Sequence, residues 1–268
     1  PPFVPGGEVS GVVSKIGRGV TTRVIGDEVF ATMQTGGFAE QVVTSEYSTF
    51  LKGSLSFEQA AGFAITYGTS YYALKQRAEL KLGESVLVLG AAGGVGIACI
   101  QIAKAMGAKI IAAASTEAKL DFAVEAGADL RVNYSCENLK ETVKKMTKGK
   151  GADIIYDPVG GELAEEAFRA VAWDGRFLVI GFASGPIPRM PLNLALLKGA
   201  SLVGVFWGSW AGRDPVASQK NFKELVEMVD QKKFSPLVTE VYPLDEFSEA
   251  FECISQRRAR GKVVLAMV

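Results

Sequence analysis

The chain contains no histidine. That absence removes imidazole acid–base chemistry and the commonest metal ligand together. Cysteine is scarce, and Cys99, Cys136 and Cys253 lie far apart. Their spacing excludes a disulfide framework and the closely spaced thiols of a structural zinc lobe, and reads as incidental free thiols of a reducing compartment. Net charge is absent as well: 29 basic residues balance 29 acidic ones, so no bulk attraction to nucleic acid or to an anionic membrane surface is expected. Internal repeats, low-complexity segments and a signal peptide are not visible, and the chain begins at Pro1 without a methionine. The expected compartment is the cytoplasm, with the mitochondrial matrix as the alternative. One stretch, 85–103, lacks charge for the length of a membrane span. Gly90, Gly93, Gly94 and Gly96 interrupt it, and Lys81, Glu84 and Lys104 flank it, so a span is rejected.

What is present is a globular composition, 48% apolar and 22% charged over 268 residues, enough for one large or two ordinary domains. Its 30 glycines suit a chain with many tight turns. The organising stretch is 86–107, VLVLGAAGGVGIACIQIAKAMG. A continuous aliphatic run at 86–89 predicts a parallel strand buried on both faces. A turn at 90–96 and a helix with Ile97, Ile100, Ile102 and Ala103 on its apolar side follow. The spacing Gly90-x-x-Gly93-x-x-Gly96 supplies a tight turn, a bare backbone approach and close helix–strand packing. Unpaired N–H groups and the helix dipole would then face a diphosphate through Ala92, Gly93, Gly94, Val95 and Gly96. Three glycines also fit an ordinary strand–turn–helix joint. The second strand at 110–114, just past Gly107, completes a βαβ unit and decides for a dinucleotide.

Short alternating stretches at 8–13, 27–32 and 38–44, punctuated by glycine pairs, predict part of a small β-barrel before residue 51. A helix is expected over 56–74, capped by Ser56. Strands at 86–89, 110–114, 130–133, 153–157, 176–181 and 201–207 then alternate with helices at 95–106, 116–126, 136–147 and 161–171. That alternation predicts an α/β fold, a doubly wound parallel Rossmann sheet beside a partial β-barrel domain. A helix at 218–231, a strand at 239–242, a helix at 244–255 and a strand at 263–267 close the chain, the tail folding back on the barrel. The expected division is 1–65 with 233–268 as substrate domain and 66–232 as dinucleotide-binding domain.

An NAD site places an acidic residue about 20 positions past the turn, at the second strand's end. Here that place holds Ser115 and Thr116, with Lys119 following; hydroxyls and an ammonium welcome a 2′-phosphate. Glu117 is the counter-evidence, read as a first-turn acid favoured by the helix dipole. NADPH is therefore the expected cofactor. Val159, Gly160 and Gly161, and Gly181, Phe182, Ala183 and Ser184, end the fourth and fifth strands, where open sheets bind ligand. Thr66, Tyr67 and Thr69 are the remaining polar candidates near the cleft, Thr66 and Tyr67 taken as catalytic; the alternative is capping and packing within a helix.

In order along the chain, PFVPGGEVSGVV (2–13), GFAEQVV (37–43), GAAGGVG (90–96), AGADLRVNY (126–134), DIIYDPVGGE (153–162), GRFLVIGFASG (175–185) and RGKVVL (260–265) resemble the zinc-free medium-chain dehydrogenase/reductases. The match is to their quinone oxidoreductase, or zeta-crystallin, family, including the quinone oxidoreductase-like proteins. The resemblance implies a GroES-like barrel and adds Tyr134 beside the 2′-phosphate, a packing role being its alternative. It places Val205, Phe206 and Trp207 beside the nicotinamide and implies a homodimer paired through 201–207; an edge-strand or dimer contact is the alternative for Phe206 and Trp207. Zinc relatives carry a His-Glu pair where this chain has Gly7-Glu8, so no metal is expected. The family also has an opening segment before PFVPG that the chain lacks. Without metal or strong base, an electron-poor acceptor is the easiest to reduce, so the expected activity is NADPH-dependent reduction of quinones or α,β-unsaturated carbonyls. The alternative is an NADP(H)-binding protein without turnover, lacking the opening segment's catalytic groups.

Overall fold

The computed structural model describes residues 2–256 and 258–267. Strands β1 (Glu8–Val12), β2 (Glu28–Thr32) and β3 (Thr49–Leu51) form an antiparallel sheet in that order, with Glu8 opposite Thr32 and Phe30 opposite Phe50. Helix α1 (Phe57–Ala61) starts at a capping box between Ser56 and Gln59, two orphan donors satisfied reciprocally. Helix α2 (Ala64–Tyr72) runs on into a π-turn at Ala73–Arg77.

Next come β4 (Ser85–Leu89), α3 (Gly94–Ala105), β5 (Lys109–Ala114), α4 (Glu117–Glu125), β6 (Leu130–Asn133), α5 (Leu139–Met146), β7 (Ala152–Asp157), α6 (Glu162–Arg169), β8 (Val171–Val179), α7 (Asn193–Lys198) and β9 (Ser201–Gly204). The six strands form one parallel sheet in the order β6-β5-β4-β7-β8-β9, the doubly wound arrangement whose crevice opens where the strand order reverses. Every residue of β4 and β7 is buried, as a strand covered by helices on both faces requires. The core on one face gathers Leu87, Leu89, Ile111, Ile155, Phe168 and Phe177.

Helices α8 (Trp207–Arg213) and α9 (Pro215–Asp230), strand β10 (Val238–Pro243), helix α10 (Phe247–Ser255) and strand β11 (Lys262–Ala266) complete the chain, β10 and β11 pairing in parallel. Two compact units result: one reaches Gly68 and resumes at Gly208, the other is Thr69–Trp207. The second boundary falls earlier than the expected 232/233. Phe222 of α9 packs on Phe30 and Phe50 with ring centroids 5.3 and 4.1 Å away, so the aromatic core of the first unit claims that helix.

Two expected strands are changed. Residues 38–44 form no strand; Gly37 and Phe38 bond back to Gly6 and Pro5, and among the described residues no neighbouring strand continues a ladder beyond them. The sixth parallel strand stops at Gly204, and Trp207 opens a helix. Among the described residues no helix is long and apolar enough to cross a membrane.

Candidate functional site

At the carboxyl end of β4 the chain turns through Gly90, whose φ of +57° lies in the left-handed region, where a side chain is costly. Gly93 caps α3 and brings no side chain to accept from the helix. The first-turn N–H groups stay available, and the helix dipole adds partial positive charge there. Gly96 is required by packing: a Cβ would stand 2.5 Å from the Gly90 carbonyl oxygen and 2.9 Å from that of Ala91. Beneath the turn Ser70 Oγ donates to the Val95 carbonyl at 3.2 Å and pairs with the Tyr156 hydroxyl at 2.9 Å. Burial pushes the Tyr156 phenol well up, so it stays a neutral donor. Gly93 and Gly94 thus leave the start of α3 free of bulky side chains, with Ala92 and Gly96 buried against the turn and Val95 half-buried.

The loops after β7 and β8 lie against each other. Asp157 Oδ1 accepts from the N–H groups of Val159 (2.8 Å) and Gly160 (2.9 Å). Its main-chain oxygen accepts from Ile180 and Gly181. Burial pushes the Asp157 carboxyl up, against the opposing pull of those two N–H groups. Gly160 and Gly161 have φ of +66° and +64°, and a Cβ on them would meet Phe182 at 2.8 Å and Ser184 at 2.6 Å. Ala183 and Ser184 donate to the Pro158 and Val159 carbonyls at 3.0 Å. The sequence reading missed Asp157; its signal was an acid two and three residues ahead of turn N–H groups, an Asx turn closing on glycines.

A third group sits at the ends of β5 and β6. Ala114 pairs with Asn133, so Ser115 and Tyr134, one residue further on each strand, emerge side by side. Tyr134 is half-buried against the core. Thr116 caps α4, its hydroxyl accepting from Lys119 N–H at 3.4 Å. Glu117 opens the helix, as read, and its carboxylate is engaged: Asn133 Nδ2 donates to it at 2.7 Å, and Arg131 stands 3.7 Å away.

The polar candidates 66 and 67 require correction. Thr66 is buried and its hydroxyl donates to the Gly62 carbonyl one turn back. Tyr67 is 2% exposed, stacked on Phe63 and Phe234, and hydrogen-bonded to the Leu237 backbone, with burial holding its phenol far above the ordinary range. Both hold the fold together; neither offers a free catalytic group. Thr69 is half-buried. Val205 and Trp207 are nearly covered, whereas Phe206 is 77% exposed.

The residues match two family profiles, described as zinc-binding dehydrogenase over 94–231 and alcohol dehydrogenase GroES-like domain over 1–82. The quinone oxidoreductase-like protein 2 homolog of Nematostella vectensis is 41% identical over 98% of this chain and 73% of that protein. Two solved structures superpose closely. The quinone oxidoreductase of Pseudomonas syringae pv. Tomato has a TM-score of 0.91 at 32% identity, over 98% of this chain and 82% of that one. The Escherichia coli quinone oxidoreductase complexed with NADPH has 0.89 at 29% identity, with the same coverage. Fold and glycine turn together define a medium-chain dehydrogenase/reductase. Within that class, the chain belongs to the quinone oxidoreductase-like family.

The profile's description names zinc, and the donors present do not fit that ion. There is no histidine, and among the described residues no three His, Cys, Asp or Glu side chains gather to ligate a metal. Cys99 and Cys253 are buried and Cys136 is exposed. Glu8, beside the position where zinc relatives carry histidine, is bound to Lys262 Nζ and to the Ile65 N–H.

Proposed function

We propose that this chain binds NADPH in the Thr69–Trp207 unit and reduces quinones or α,β-unsaturated carbonyls without a metal. The observation that carries the reading is the bare first turn of α3, packed on β4 where a Cβ at Gly96 would meet the Gly90 carbonyl. Its N–H groups would hold the diphosphate. Ser115 and Lys119, beside Tyr134, would hold the 2′-phosphate, where Glu117 is turned to Asn133. Gly160, Gly181, Phe182, Ala183 and Ser184 belong to the loop pair that Asp157 braces, and would line the cofactor with Val205, Phe206 and Trp207. NADPH, when bound, supplies a hydride. The residues' work is then to orient donor and acceptor and to exclude water. Conjugated acceptors suit a site without imidazole or metal ligands, because the charge that arrives with hydride spreads over the acceptor's own carbonyl system. The similar proteins named quinone oxidoreductase, one of them complexed with NADPH, support the same reading. We further propose that two copies pair through 201–207.

The test is loss of NADPH absorbance with a panel of quinones, enones and simple ketones, alongside metal analysis. Turnover with a quinone or an enone, independent of chelators, is expected. NADPH binding without oxidation by any acceptor would instead identify a cofactor-binding protein, and stoichiometric zinc would overturn the metal-free assignment.

A further inference from the structure

Glu117 poses a question for an NADPH site, because a carboxylate two residues beyond the second strand would repel a 2′-phosphate and accept from a ribose hydroxyl. We infer that Asn133 sets the cofactor preference by holding Glu117 away, an inference that rests on the NADPH reading above. Asn133 is the last residue of β6, opposite Ala114 at the end of β5, and only 8% exposed. Its amide is used at both ends: Oδ1 accepts from the Ser135 N–H at 3.1 Å, and Nδ2 donates to Glu117 Oε1 at 2.7 Å. The Ser135 hydroxyl in turn donates to the Ser115 carbonyl at 3.0 Å. The amide is thereby fixed, and it presents its donor to the carboxylate and its acceptor to the turn.

The charges around the pair act the same way. Arg131, two residues back on β6, lies 3.7 Å from Glu117 Oε2 and is also paired with Asp121. Glu117 is held from the β6 side by one buried neutral donor and one cation. Glu137, the other acid nearby, accepts from the Asn133 N–H at 2.9 Å. Among the described residues no carboxylate pairs with the side chain of Ser115 or Lys119, Glu117 being taken up by Asn133 and Arg131. Discrimination between cofactors by repulsion works as strongly as attraction does, so the hydrogen bond that restrains Glu117 contributes to selectivity without touching a nucleotide. Asn133 is a positioning residue.

The experiment measures dissociation constants for NADPH and NADH with the full chain, by titration, in wild type and in Asn133→Asp, Asn133→Ala, Glu117→Ala and Asn133→Ala/Glu117→Ala. Asn133→Asp keeps the acceptor for Ser135 and replaces the donor by an oxygen, while Asn133→Ala removes the donor without adding charge. Both are expected to lower the NADPH-over-NADH preference, Asn133→Asp by about tenfold. In the Glu117→Ala background the Asn133→Ala effect should disappear, since nothing is left to release. Thermal melts confirm that each variant is folded. An unchanged preference in folded Asn133 variants, or an Asn133→Ala shift that persists without Glu117, overturns the inference while leaving NADPH binding intact. Wild type that binds neither nucleotide overturns the underlying reading as well.

Discussion

Asp157 carries its carboxyl group where charge is costly, and the two N–H groups it receives hold the loop beside Gly160 in place. Its pKa is raised by burial, so the ionised form weakens the fold as pH climbs past the ordinary carboxylate value. Asp157→Asn keeps an acceptor and removes that charge. Its melting temperature should equal or exceed wild type at neutral pH, the difference vanishing once both forms are neutral in acid. Asp157→Ala leaves two buried donors unpaired and should cost about 3 kcal/mol, read as a shift in denaturant midpoint. Gly96→Ala drives a methyl into backbone 2.5 Å away. Overpacking of that kind costs about 1–3 kcal/mol, and nucleotide affinity should fall with stability. The turn at Gly90 and the close packing at Gly96 were legible because the spacing itself encodes that geometry. Thr66 and Tyr67 were misread because hydroxyl chemistry in a sequence does not show burial; only the rings of Phe63 and Phe234 around Tyr67 reveal a packing role.

Among the elements, the parallel sheet divides its labour by end. The carboxyl ends of β4, β7 and β8 bear the glycine turns, whereas the amino ends bear ion pairs. Arg176 grips Glu84 bidentately at 2.7 and 2.8 Å and also donates to the Ala78 carbonyl. Asp153 accepts from Ser85 and pairs with Lys150 at 2.6 Å. Asp129 pairs with Lys104 and accepts from the Ile110 N–H. Burial pushes all three carboxyls up, yet the donors around them leave each below the ordinary range. Their stabilisation is therefore complete above the ordinary carboxylate range and is lost as pH falls through their lowered values. Acid titration followed by circular dichroism should show stability declining there. Arg176→Lys, which loses the fork, should lower the midpoint by about 1–2 kcal/mol without changing the denaturant slope. The aliphatic runs of β4, β5 and β7 were legible because both faces are covered. The 38–44 stretch was misread because a local sequence pattern does not show whether a neighbouring strand is there to receive its ladder.

At the scale of the whole molecule, the compact units change over at Gly68/Thr69 and Trp207/Gly208. The periodicity of 218–231 shows an apolar face in Phe222, Leu225 and Val229, but not which core receives it. One edge of the six-stranded sheet is β9, with Leu202 on it and Phe206 just past it exposed; such an edge invites pairing with another strand. If two copies pair there, Leu202→Lys with Phe206→Asp should convert a dimer to a monomer in sedimentation, and a wild-type monomer would refute the pairing. In the proposed reading, backbone amides at the start of α3 receive a diphosphate, and Ser115 and Lys119 receive a further phosphate. Titration of the full chain with NADPH and NADH tests this most directly. Stoichiometric binding with NADPH at least about tenfold tighter, a difference of about 1.4 kcal/mol, is the predicted result; failure of both nucleotides to bind the folded protein would contradict it.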